Sequence, residues 1–93
     1  MNKDEARKIL RSELEKYRGR SYDSFRTLIA ELDAYEVQSP SGTSYQVEIQ
    51  AFWDGKPNSN IRVIGGIDDG GVSAFRPLTE SFIVTPDGDV VDD

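Results

Sequence analysis

Within the ten residues Val63-Ile-Gly-Gly-Ile-Asp-Asp-Gly-Gly-Val72 stand four glycines and two aspartates. Glycine-rich loops cradle phosphates, and paired aspartates attract cations. A phosphate loop needs its glycines to lead into a helix N-terminus, whereas these lead into a run that reads as a strand. An EF-hand loop needs alternating acidic ligands and a distant bidentate glutamate, and Asp68-Asp69-Gly70-Gly71 offers neither. Asp69-Gly70 instead fits the centre of a two-residue hairpin turn, where both residues take positive φ. Asp87 and Asp89, with Asp92 and Asp93, are the other carboxylates close enough in sequence to hold a cation. The reading favoured for them is a solvated acidic end, and no functional metal is expected.

Other chemistry is bounded by what the chain lacks. It has no histidine and no cysteine, so Ser–His–Asp and Cys–His nucleophile systems and thiolate or imidazole metal sites are out of reach. Carboxylate chemistry remains, with Glu48 and Asp54, or Asp68 and Asp69, as the candidate pairs. It would need two acids converging in one pocket, and Glu48 reads as mid-strand while Asp54 reads as loop. No catalytic residue is assigned and no cofactor is expected.

Charge is unevenly distributed. The net charge is −6, yet residues 1–20 hold seven Lys or Arg against four Asp or Glu, while the remainder carries −9. Lys16, Arg18, Arg20 and Arg26 could touch phosphates, but the acidic body opposes nucleic-acid binding, in which phosphate contacts dominate affinity. Helical pairing of Asp4 with Lys8 and of Arg11 with Glu15, and basic residues in a helix's last turn, account for the basic segment more simply.

The elements that would position these residues follow from periodicity. Asn2 with Glu5 resembles a capping box. Ala6, Ile9, Leu10, Leu14 and Tyr17 then repeat at helical spacing, predicting a helix over 3–18 that stops at Gly19. Ser21 is a helix cap for Tyr22, Phe25, Leu28, Ile29 and Leu32, a second helix over 22–32. Beyond Asp33 the period falls to two. Strands are expected over 34–38, 44–54, 61–67 and 72–78, with a C-terminal segment 79–93 whose Phe82, Ile83 and Val84 must pack somewhere.

Pairing the second and third strands around the 54–60 loop sets Trp53 opposite Ile61, Ala51 opposite Val63, Ile49 opposite Gly65 and Val47 opposite Ile67. Apolar or small residues then meet throughout, and a one-residue slip would destroy the match. Turning at Asp69-Gly70 pairs Ile67 with Val72, Gly65 with Ala74, Ile64 with Phe75 and Ile61 with Leu78. That register leaves Arg76 on the core face, opposite Val63, where an unpaired charge is too costly to bury. The expected fold is α+β: two N-terminal helices on one face of a four-stranded antiparallel meander, with the C-terminal segment packing on the sheet or its edge. Residues 1–93 form a single domain.

The sheet's second face should carry Glu36, Gln46, Glu48 and Gln50 as a solvated surface. It also carries Phe52, Ile64 and Phe75, with Arg62 beside them. Apolar residues clustered around an arginine make a partner-binding patch unless the C-terminal segment covers them. Phe52, Arg62, Ile64, Phe75, Glu48 and Gln50 are therefore the candidate binding residues. Their occupant would be an unidentified protein, or a second copy in a weak homodimer.

The functional expectation is a small, acidic, non-enzymatic interaction or regulatory module, with an immunity or antitoxin-like role capping a basic partner as one version. A carboxylate enzyme and a nucleic-acid binder are the alternatives. No stretch is apolar enough for a membrane span. The charged N-terminus is unlike a secretory signal. With no cysteine, a cytoplasmic setting is expected.

Overall fold

In a computed structural model, residues 1–92 are described, with Ser73, Phe75 and Asp92 described by their backbone alone. Helices α1 (Lys3–Arg18) and α2 (Tyr22–Ala30) precede strands β1 (Asp33–Gln38), β2 (Ser44–Trp53), β3 (Ile61–Asp68), β4 (Leu78–Val84) and β5 (Val90–Asp92). The strands form one antiparallel sheet in the order β1-β2-β3-β4-β5. The fold is thus the α+β arrangement read from the sequence, with five strands rather than four.

Each helix starts where a side chain can satisfy a free amide. Asn2 Oδ1 accepts from Glu5 N at 3.1 Å and Ser21 Oγ accepts from Ser24 N at 3.2 Å. The capping box at α1 is half made, because the Glu5 carboxylate turns to the sheet instead. Ala6, Leu10, Leu14, Tyr17, Phe25 and Leu28 bury one stripe of the two helices against Tyr45, Val47, Ile49, Ala51, Ile61, Val63, Ile67, Phe82 and Val84. Helix α2 ends at Ala30, and Leu32 stands 42% exposed instead of extending the stripe. Gly65 leaves a dip in the sheet that the helix fills: a Cβ there would lie 2.9 Å from Leu10 Cδ1 and 3.0 Å from Leu14 Cδ2.

The β2–β3 register agrees at all four predicted pairs. The β3–β4 register does not. Ile67 pairs with Leu78, Gly65 with Glu80, Ile64 with Ser81 and Ile61 with Val84. The chain does not reverse in two residues at Asp69-Gly70. Asp68 Oδ1 accepts from Gly70 N at 2.8 Å and Asp69 Oδ1 from Gly71 N at 3.3 Å, and Val72–Phe75 forms a 3₁₀ turn before β4 begins. The shift from the predicted register is by an even number of residues, so the alternation of faces survives. What changes is occupancy: Phe82 and Val84 enter the core, fully buried, and Arg76 leaves the sheet for an exposed loop. Burying a Phe and a Val is worth about 1.5–3 kcal/mol each, whereas lengthening the loop costs only ~1 kcal/mol of closure entropy. The longer connection wins.

Candidate binding face

Both α-helices lie on one side of the sheet; on the other, the 3₁₀ turn Val72–Phe75 and Pro77 stand beside Ile64 and Gly66. Phe82 and Val84 point to the helices, so the C-terminal segment does not fold over that second face. It joins the sheet and extends it. Across its far end runs the row Phe52–Arg62–Ile83–Val91, set by three successive pairings. Phe52 is 48% and Val91 49% exposed, and Ile83 is half-buried between its neighbours. The next row on this face is Gln50–Ile64–Ser81. Arg62 Nη2 reaches Asp54 Oδ1 at 3.5 Å, leaving its aliphatic stem within the apolar row.

The structure therefore brings together five of the six candidate residues, Glu48, Gln50, Phe52, Arg62 and Ile64, on one face. Phe75 is not a cross-strand partner of Ile64, because its backbone lies in the 3₁₀ turn; its side chain is outside the described residues. Ile83 and Val91 take the place the sequence reading gave it. Their signal is the continuous apolar runs 82–84 and 90–91, which a strand placed over 72–78 leaves outside the sheet.

Beyond Ile64, Glu48, Gln50, Gly66, Asp68 and Thr79 floor a hollow of about 160 Å³, walled by Ala74 and Pro77. Glu48 and Asp68 are diagonal neighbours there, across the β2–β3 pair, a juxtaposition absent from the sequence reading. The candidate pair Glu48 and Asp54 is split: Asp54 follows the end of β2, ~20 Å along the strand from Glu48 at about 3.4 Å per residue. Asp68 and Asp69 cap the turn with their own carboxylates, and Asp69 Oδ2 also lies 3.6 Å from the N-terminal amine. Among the described residues no three acidic side chains group in a way that could hold a metal ion. Asp87 and Asp89 stand in the β4–β5 turn, closed by Gly88 N donating to Thr85 O at 2.8 Å; Asp93 is outside the described residues.

The basic candidates do not form a stripe. Lys16 Nζ is 2.8 Å from Glu13, Arg18 Nε is 3.5 Å from Glu15 and Arg26 Nη1 is 3.6 Å from Asp23. Arg18 also lies over the Phe82 ring and Arg20 over Tyr17. Arg11 does not pair with Glu15 as expected. It bonds Glu80 at 3.0 Å, at the edge of a cleft of about 390 Å³ between α1 and β4.

Two tyrosine–carboxylate clusters went unread in the sequence. At one end of α1, Glu5 accepts from Tyr45 Oη at 2.8 Å and Ser41 Oγ at 3.0 Å. These bonds, the Tyr45 bond first, hold its carboxyl below the usual range. At the other end, Tyr17 Oη donates to Asp33 Oδ2 at 2.6 Å, and Tyr35 lies beside Glu13 and Tyr17. Burial, then the hydrogen bonds to Glu5 and Asp33, pushes Tyr45 and Tyr17 up to about 12 each. Burial likewise raises Tyr35. Phenols pushed away from neutrality are poor acids and bases at pH 7. These clusters fasten α1 to β1 and to the β1–β2 hairpin.

Compared with family models, curated proteins and solved structures, the chain matches none of them.

Proposed function

We propose that this chain is a non-enzymatic protein-interaction module whose uncovered sheet face docks a basic partner protein, as an immunity protein or antitoxin does, in the cytoplasm. The observation that carries this reading is the row Phe52–Arg62–Ile83–Val91, with Phe52 and Val91 about half exposed, on a face that no α-helix crosses. Apolar anchors at the centre of an interface supply most of its energy. Beside the row, Glu36, Glu48, Asp54 and Asp68 outnumber Arg62, and such a surround attracts a positively charged surface and speeds its approach. The composition supports the same reading, since it leaves little for covalent or metal catalysis.

The test is capture of partners from native lysate by immobilised wild-type protein and by Phe52→Ser and Val91→Ser variants, with mass spectrometry of what is retained. Both substitutions should leave thermal stability almost unchanged, as surface changes do, and both should lose the same basic proteins. Identical captured sets for wild type and both variants would refute the docking face.

A further inference from the structure

The sheet has two edges, and they are unlike. The β5 edge is three residues long, Val90–Asp92, and follows Asp89. The β1 edge is six residues long, Asp33-Ala-Tyr-Glu-Val-Gln, with an unbroken register against β2. Exposed edges are ordinarily protected by proline, charged side chains, a bulge or shortness. The β5 edge is short, whereas β1 is long and unbroken, has no proline or lysine, and carries two charges that are engaged within the chain, Asp33 accepting from Tyr17 and Glu36 from Gln46.

The direction of each peptide group on β1 can be worked out. Ser39 N donates to Thr43 O at 2.9 Å, which makes 39 and 43 a hydrogen-bonded rung continuing the Gln38–Ser44 register. Rungs alternate between bonded and non-bonded pairs in an antiparallel ladder. Val37, Tyr35 and Asp33 therefore spend their N–H and C=O on β2, and Ala34, Glu36 and Gln38 turn theirs outward. From within, β1 is tied to α1 by Tyr17 Oη donating to Asp33.

We propose that β1 is a self-association edge, on which a second copy of the chain pairs antiparallel about a two-fold axis through Tyr35. The outward groups of Ala34 and Glu36 then bond those of Glu36 and Ala34 in the other copy, and the two sheets join into one of ten strands. Charge selects this register. Centring the axis on Glu36 would set two carboxylates face to face, a destabilising cross-strand pair. Centring it on Tyr35 sets Glu36 against Ala34 and Asp33 against Val37. Leu32, 42% exposed beside the start of the strand, then approaches Gln38 of the second copy and gains cover.

The test uses the purified full chain. Sedimentation velocity over a range of concentrations should show a dimer that dissociates on dilution. Amide exchange followed by NMR should show Ala34 and Glu36 slowed at high concentration and fast at low concentration, with Tyr35 and Val37 slow at both. Glu36→Pro removes only an outward N–H and keeps the ladder to β2. It should give a monomer of unchanged circular dichroism, and Ala34→Pro should do the same if Glu36→Pro misfolds. Phe52→Ser, on the separate docking face, should leave the dimer intact. A wild-type chain that is monomeric up to millimolar concentration, or a dimer in which the Ala34 and Glu36 amides still exchange freely, would overturn the proposal.

Discussion

Single side chains decide how this protein responds to pH and to the loss of space. Tyr17 and Tyr45 have folded-state values raised to about 12, above the ~10 of an unfolded tyrosine. The fold therefore favours the neutral phenols. Their contribution to stability is complete below pH ~10 and is lost as pH rises from there towards 12. Urea denaturation midpoints should fall steeply over that window, and less so in Tyr45→Phe. At the acid end, Glu5 is held low by Tyr45 and Ser41, so its contribution is present above the ordinary glutamate value and fades as pH drops below it. Space is tested at two adjacent glycines. Gly65→Ala forces Leu10 and Leu14 aside and should cost ~1–3 kcal/mol, the range for overpacking. At Gly66 a Cβ would meet nothing closer than 3.9 Å, so Gly66→Ala should change stability much less. Equal losses at both positions would contradict the facing assigned to β3.

At the scale of elements, the informative one is β4. Its place is decided by Phe82 and Val84, which fill the core opposite Val63 and Ile61, while Val72 stands 88% exposed in the preceding turn. Phe82→Ala should cost ~3–5 kcal/mol, the usual range for removing a core phenylalanine, and Val72→Ser should stay within ~0.5 kcal/mol. A large loss at Val72 with little at Phe82 would restore the earlier strand. Helix α2 is tied to the β2–β3 loop by Tyr22 Oη donating to Ser59 O. Its Phe25 meets Phe82 edge to face, centroids 5.9 Å apart, so a loss at Phe82 should loosen α2 as well. Trp53 packs at the margin of the core, partly buried beside Asp23, Arg26 and Thr27.

For the whole molecule, the consequence is a one-sided sandwich. One face of the sheet is spent on the two α-helices, and the other carries the row Phe52–Arg62–Ile83–Val91. Among the described residues no helix is long and apolar enough to cross a membrane. Because Asp68 and Asp69 are engaged in capping their own turn, millimolar calcium or magnesium should leave the melting temperature essentially unchanged. Stabilisation beyond ~1–2 kcal/mol, as a ligand well above its dissociation constant would produce, would reopen the aspartates as a cation site.

The sequence alone determined the parts governed by neighbours in the chain. Helix α1 runs over the predicted 3–18, because its cap, apolar stripe and terminal basic residues all lie within it. The β2–β3 hairpin follows from alternation on both arms, since any slip by one residue would turn Ile49 and Val63 to solvent. The candidate face was legible for Glu48, Gln50, Phe52, Arg62 and Ile64, because facing on a strand is a matter of parity. The tertiary structure alone decided which later segment would be the next strand. Residues 72–78 and 78–84 both alternate acceptably, and Asp69-Gly70 is a sound local turn. Only the filled core separates them, through Arg76, which a buried position cannot hold, and Phe82, which it can. That choice in turn took the Phe75 backbone out of the β3–β4 ladder and put Ile83 and Val91 on the second face. Likewise, no local pattern could pair Glu5 with Tyr45 or Tyr17 with Asp33, because those bonds exist only once α1 lies across the sheet.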